Sequence, residues 1–191
     1  MNDLAFYFRE GWHHIISVYA ADHQLFILAL CAVYLVPDWK KVLVLVTAFT
    51  IGHSLTLVLS VYDVIRANER WVEFLIPCTI IITAIFNFFQ KETAGKTLRL
   101  NYFFALFFGL IHGLGFANTI RFMLAKDQTI GWSLFGFNVG LEAGQIVTVS
   151  IILLLSYLFV NILHLRRRWW VIILSTVALV FASKFALERI P

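Results

Sequence analysis

Apolar residues fill six long stretches of the chain, and short polar segments separate them. Each stretch is close to the roughly 20 residues that an α-helix needs to cross the hydrocarbon core of a bilayer. Pro37 and Asp38 mark the first turn between two of them. The predicted spanning helices cover about residues 15–36, 42–62, 71–89, 102–122, 132–162 and 169–186. The pattern therefore predicts an all-α, polytopic integral membrane protein built as a six-transmembrane-helix bundle.

The first 14 residues differ from the apolar stretches that follow them. Aromatic residues suited to a membrane interface are mixed here with charged residues suited to water, namely Phe6, Tyr7, Trp12, Asp3, Arg9 and Glu10. We therefore predict that residues 1–14 form an interfacial lead-in to the first spanning helix. The rest of the sequence contains no long linker or low-complexity tract. Residues 1–191 are accordingly expected to form a single transmembrane domain.

Composition excludes an ordinary soluble domain. The chain is 61% hydrophobic and 14% charged, whereas soluble domains are about 45–50% apolar and about 25% charged. The formal net charge of +4 comes from Lys and Arg residues in short loops. Such residues are typical of anchors at the membrane surface, so the expected partner is the lipid bilayer and no nucleic acid. The two cysteines, Cys31 and Cys78, lie singly in apolar runs and are interpreted as packing residues.

The distribution of basic residues predicts an orientation in the membrane. The first, third and fifth loops carry eight Lys and Arg residues, and the termini with the other two loops carry seven. The sharpest local cluster is Arg166 to Arg168, which Trp169 and Trp170 follow directly, as in a cytoplasmic interface anchor. We therefore expect a bacterial inner (cytoplasmic) membrane protein with both termini outside.

Ionisable residues interrupt the apolar stretches at a few places. Placing one at the centre of a bilayer costs roughly 2.5–3.5 kcal/mol even on the mild insertion scales, so such residues usually have a partner and a function. In the predicted topology, these residues fall in the half of the membrane nearest the N-terminus. Their agreement in depth predicts one shared metal site. The predicted ligands are His14, Asp22, His23, His53, His112 and Glu142.

The predicted ligand set selects a class of metal ion. Imidazole nitrogens with carboxylate oxygens suit divalent nickel, cobalt, zinc or iron, and the scarcity of Met and Cys argues against Cu(I). Neighbouring polar residues are predicted to orient the imidazoles: Thr50, Ser54, Asn138 and Gln145. The alternative interpretation is that these polar residues form ordinary hydrogen bonds between helices. That alternative is favoured for Thr79, Thr83 and Asn87, which are spaced by four residues on one helix.

The same residues carry a resemblance to a known family. The order His14, Asp22-His23, IGHSLTL, FFGLIHGLGFA and GLEAGQ resembles the HupE/UreJ family of hydrogenase and urease accessory membrane proteins. The Asp-His and Gly-His-Ser elements also resemble signatures of nickel/cobalt transporters. The resemblance implies that the six predicted ligands form the metal site. Two features depart from the transporter pattern, because the interval from His14 to Asp22 is longer and the additional helices of the larger transporters are missing.

Three functions are compatible with this sequence. The first is a permease for divalent nickel or cobalt, which the resemblance favours over an enzyme. The second is an intramembrane zinc-dependent hydrolase, in which three imidazoles hold zinc and Asp22 or Glu142 acts as the general base on a lipid amide or ester. The third is a metal-dependent assembly factor or sensor without flux. The predicted cofactor or cargo is thus a divalent transition-metal ion (nickel, cobalt or zinc), and the small size of the bundle is compatible with a homo-oligomer.

Overall fold

A computed structural model describes residues 3–17, 20–90, 97–124 and 130–191, and the described residues form α-helices joined by short turns. In chain order the helices are α1 (Asp3–Ile16), α2 (Ala21–Cys31), α3 (Trp39–Val61), α4 (Glu69–Phe89), α5 (Thr97–Leu124), α6 (Ile130–Ser156) and α7 (Arg167–Glu188). A 3-10 turn at Val36–Asp38 precedes α3, and a π-helical stretch at Tyr157–Ile162 extends α6. The described part of the chain contains no β-strand. The predicted all-α fold class is confirmed.

Six membrane crossings account for these helices. Five of them, α3 to α7, are long and apolar enough to span a bilayer by themselves. The helices α1 and α2 pass the same test only as a pair, and their axes meet at 66°. With this bent pair as one crossing, the protein is the predicted six-helix membrane bundle.

The structure corrects the predicted first helix over residues 15–36. Helix α1 already ends at Ile16 and α2 begins at Ala21, with residues 18–19 outside the described part of the chain. The Gln24 side-chain amide donates to the main-chain carbonyls of Ile15 and Ser17, at 3.2 and 3.1 Å. These carbonyls lie at the C-terminus of α1, where the helix itself stops supplying donors, and the Ser17 carbonyl also accepts from the main-chain amide of Ala20 at 2.9 Å. The amide therefore stabilises the bend.

The predicted interfacial lead-in at residues 1–14 also differs from the structure, because nearly all of it belongs to α1 and packs along α6. Glycines line the contact: a Cβ added at Gly140 would collide with the backbone of Phe8, and one at Gly144 would lie 3.0 Å from the Ile15 side chain. Small residues at this spacing let two helix backbones approach closely. One face of α1 thus packs on a helix, while Phe6 and Phe8 remain exposed on its outer side.

Close packing of α3 against α5 brings the middle of these two helices together. A Cβ at Gly109 would collide with the carbonyl oxygen of Phe49, and one at Gly52 would collide with the carbonyl oxygen of Leu106. A histidine follows each glycine by one turn or less, His53 on α3 and His112 on α5. Both histidines are fully buried as a result.

Candidate metal centre

Three histidines from three helices converge inside the bundle. His14 lies near the end of α1, His23 in the first turn of α2, and His53 in the middle of α3. Each offers one ring nitrogen, and these three nitrogens all lie within 4.8 Å of one another. We call this group the histidine cluster. The bend between α1 and α2 is what allows His14 and His23 to face the same point, at a ring-centroid distance of 4.6 Å.

His112 on α5 lies beside the histidine cluster. Its ring centroid is 5.1 Å from that of His23. Its Nε2 atom is 3.1 Å from the hydroxyl oxygen of Thr79, and that hydroxyl donates its hydrogen to the carbonyl of Ile76 at 2.7 Å. When the hydroxyl hydrogen is on the Ile76 carbonyl, Thr79 accepts from His112, which places the proton of a neutral His112 on Nε2. The lone pair of Nδ1 then remains available as a ligand.

Several ring nitrogens in this region have no hydrogen-bond partner among the described residues. Nε2 of His14, Nε2 of His23 and both ring nitrogens of His53 are buried without a partner among the described residues. Buried polar atoms in proteins are nearly always satisfied, and an exception calls for a physical explanation. Several such atoms concentrated at one point fit the donor set of a metal ion that binds nitrogen ligands.

Aromatic rings close one side of the histidine cluster. Phe26, Phe49 and Phe108 are buried, and each lies three or four residues from a histidine of this region on the same helix. Phe26 stacks on Phe49 at 4.8 Å and contacts Phe108 edge-on at 6.0 Å. The chain directions of α2, α3 and α5 place this aromatic layer on the side of the cluster away from the N-terminal face.

A cavity of about 330 Å³ reaches the histidines from the N-terminal face. His14, His23 and His112 line it. Glu73, from the second turn of α4, and Arg189, just after α7, also line it. Both residues belong to helix ends on the N-terminal face, so water and ions have access from this side. The cavity thus lies on the N-terminal side of the histidines, and the aromatic layer lies on their other side.

The two predicted carboxylate ligands, Asp22 and Glu142, are not members of the histidine cluster. Asp22 lines the cavity, and its Oδ2 atom accepts a hydrogen bond from Nη1 of Arg189 at 2.8 Å, while Oδ1 is buried without a partner among the described residues. Glu142 on α6 accepts a hydrogen bond from the Thr47 hydroxyl at 2.8 Å. Asp22 is thus next to the histidine cluster and engaged by an arginine. Ligation by Glu142 stays a prediction, and the structure does not place it in the cluster.

Comparison with known protein families gives a match over almost the whole chain. The family model described as HupE / UreJ protein matches residues 1–189. The chain belongs to the HupE/UreJ family. The comparisons with curated proteins and with solved structures returned no match. In this HupE/UreJ protein, four sequence motifs meet at one point of the bundle: those around His14 and Asp22-His23, IGHSLTL and FFGLIHGLGFA. The GLEAGQ motif lies beside this point.

The predicted orienting residues have other neighbours in this HupE/UreJ protein. Thr50 donates to Oε1 of Gln145 at 2.7 Å, which joins α3 to α6. No hydrogen bond within the described residues links Ser54 or Asn138 to a cluster histidine. The residue that does orient a histidine is Thr79, for which sequence analysis favoured an ordinary hydrogen bond between helices. Its sequence signal was the row of polar residues at a spacing of four on α4, but that row does not say which member faces His112.

Proposed function

We propose that this HupE/UreJ protein is a membrane permease for a divalent transition-metal ion, nickel or cobalt. The observation that carries the proposal is the convergence of three imidazoles within 4.8 Å of one another inside a membrane bundle. The metal is the cargo: it enters the cavity, exchanges water for imidazole nitrogens at the histidine cluster, and leaves after the bundle rearranges. His112, whose ring centroid lies 5.1 Å from that of His23, and Asp22, which lines the same cavity, are the proposed additional ligands.

The one-sided access to the site supports transport. A carrier that alternates its access must close one side while the other is open. Here the aromatic layer closes the path beyond the histidines, and Phe108 also borders a small cavity of about 30 Å³ lined by Asn87, Gln90 and Asn101. In the proposed cycle, Phe108 moves aside and opens a path from the histidines to this smaller cavity. With the termini outside, as we propose for a bacterial inner membrane, the open side faces outward and the direction is uptake.

Flux measurements in proteoliposomes test this function. We expect Ni²⁺ or Co²⁺ to quench an enclosed metal-sensitive dye several-fold faster than in protein-free liposomes. Proteoliposomes that contain His53→Leu should match the protein-free rate, because the central imidazole is removed. The control is His164→Asn: His164 lies in a loop at φ 53°, which asparagine tolerates, and flux should be kept. Metal binding without any flux would reject the permease and support an assembly factor or sensor.

A second candidate is the intramembrane zinc hydrolase, which the closed inner end of the cavity favours. A pocket of about 330 Å³ that ends at imidazoles suits a substrate that enters and leaves by the same side. The residues present fit zinc, since three imidazole nitrogens with an open position are a known catalytic donor set. Zinc bound there would activate water, with Asp22 as the nearby carboxylate. Retention of one zinc per chain after dialysis, together with hydrolysis of a lipid amide or ester, would select the hydrolase over the permease.

The hydrogen bond between Thr79 and His112 leads to a specific prediction. Replacing Thr79 by valine keeps the volume but removes the hydroxyl that forms the hydrogen bond with Nε2 of His112. We expect the affinity for Ni²⁺ or Co²⁺ to fall about 10–100-fold, the usual cost of losing such a supporting contact. Thr79→Ser should retain the wild-type affinity. The measurement is isothermal titration calorimetry of the purified protein in detergent.

The matched control for this prediction is Thr83→Val, one turn further along α4. The Thr83 hydroxyl donates to the main-chain carbonyl of Thr79 at 2.8 Å, and no hydrogen bond among the described residues links it to a histidine. Its replacement removes the same chemical group from the same helix, so affinity should not change. Equal losses in Thr79→Val and Thr83→Val would contradict the proposed role of Thr79 and indicate a general effect on α4.

A further inference from the structure

The cavity that leads to the histidine cluster contains a fixed positive charge. The guanidinium of Arg189 lines the same cavity as Asp22, His14, His23 and His112. An arginine does not lose its proton in a protein, so this charge is present at every physiological pH. A cation that approaches the histidines therefore meets a permanent competitor. The position is unexpected for a simple cation entrance and calls for an explanation.

The partner of Arg189 is the carboxylate nearest in sequence to a cluster histidine. Nη1 of Arg189 donates to Oδ2 of Asp22 at 2.8 Å, and Asp22 directly precedes His23. The Asp22 side chain is 17% exposed and that of Arg189 is 31% exposed. The second oxygen of Asp22, Oδ1, is buried and unpartnered within the described residues. Asp22 thus has one oxygen held by arginine and one available.

We propose that Arg189 sets the metal affinity of the site by competing with the metal cation for the carboxylate of Asp22. This inference rests on the proposed metal-binding function. Arg189 acts as a tethered cation that neutralises Asp22 while the cavity contains only water. When a divalent ion reaches the histidines, Asp22 turns from Arg189 to the ion, and the guanidinium withdraws toward the cavity entrance. Its partial exposure and its position just beyond the end of α7 leave room for that movement.

This competition gives the site a useful property for a carrier. A full set of imidazole and carboxylate ligands would hold a transition metal so tightly that release would be slow. Because Arg189 recaptures Asp22 whenever the ion begins to leave, it weakens binding and speeds release. The guanidinium carbon of Arg189 lies 5.2 Å from the centroid of the Phe185 ring. This cation–π contact holds the arginine near Asp22, so that it can recapture the carboxylate.

A double-mutant cycle tests the proposal. Isothermal titration calorimetry with NiCl₂ or CoCl₂ would compare the wild type, Arg189→Gln, Asp22→Asn and the double variant in detergent. We expect Arg189→Gln to bind the ion about tenfold more tightly, within the roughly 5–150-fold range of typical coupling between sites. In the Asp22→Asn background, the same replacement should have a clearly smaller effect. Lys184→Gln is the control, since it removes one positive charge from α7 at a lysine that pairs with Glu188.

Each other outcome of the double-mutant cycle has a distinct meaning. Weaker binding in Arg189→Gln would overturn the proposal, because it would mean that the ion pair only positions His23. An equal gain in both backgrounds would also overturn it, since Arg189 would then act by repulsion without Asp22. A wild type that binds Ni²⁺ or Co²⁺ with no change in Arg189→Gln rejects this inference alone. A wild type that binds neither ion rejects the proposed function, and the inference with it.

Discussion

Replacing His53 by leucine is expected to abolish stoichiometric binding of a divalent transition metal. His53 is fully buried, and it is the member of the histidine cluster that comes from the middle of α3. Its loss leaves two imidazoles of the three, so the affinity should fall by more than the roughly 10–100-fold that loss of a supporting contact costs. Elemental mass spectrometry of the purified, dialysed protein measures the metal content directly.

The same variant separates metal binding from a purely structural role of His53. Neither ring nitrogen of His53 has a hydrogen-bond partner among the described residues. Leucine of similar size should therefore keep the packing against Phe49 without a buried unsatisfied polar atom, which is neutral or stabilising. We expect the metal-free variant to melt at or above the temperature of the metal-free wild type. A His53→Leu protein that keeps its metal would refute the cluster as the binding site, and His164→Asn should retain it in any case.

Replacing Gly109 by alanine is expected to destabilise the bundle strongly. The new Cβ would collide with the carbonyl oxygen of Phe49, which is main chain and cannot rotate away. Helices α3 and α5 would have to separate, with a cost of at least about 1–3 kcal/mol, the usual range for overpacking. His112 lies on the next turn, so the shift would also displace it from His23. The melting temperature in detergent and the yield of folded protein measure the effect.

A graded glycine series provides the controls for this prediction. At Gly131, a Cβ would have no described atom within 4 Å, so Gly131→Ala should be neutral or slightly stabilising, because alanine favours a helix. At Gly115, the Cβ would meet the Ile76 side chain at 2.7 Å, and Ile76 can move. Gly115→Ala should thus fall between the other two variants. Equal melting temperatures for Gly109→Ala and Gly131→Ala would show that close approach of α3 and α5 is not required.

Hydropathy predicted the number of crossings correctly but missed the break in the first one. Length and apolar character are local properties, and they decide whether a helix can span a bilayer. The bend between α1 and α2 depends on contacts outside the local pattern, namely the fit of α1 against the glycines of α6 and the capping amide of Gln24. Without the bend, His14 would continue along the same straight helix as His23 and would not face it.

The candidate site likewise combines features that the sequence predicted with features that only helix packing decided. Order along the chain placed His53, His112 and Glu142 in one half of the membrane, because successive helices cross in alternating directions. Rotation about each helix axis is set by neighbouring helices, and it turns Glu142 toward Thr47 while His53 faces His14 and His23. Contacts from distant parts of the chain, such as Thr79 with His112 and Arg189 with Asp22, are beyond any single-helix pattern.

The sequence by itself determined that this protein is a six-crossing membrane bundle, and it supplied candidate ligands at one depth. Those features follow from the free-energy cost of placing polar groups in hydrocarbon. Each residue contributes to that cost independently of its neighbours in the fold. Tertiary structure alone decided which candidates meet, which residue orients His112, and which arginine holds Asp22. The physical reason is that these relations depend on the rotation and separation of packed helices, and side chains from six crossings set them together.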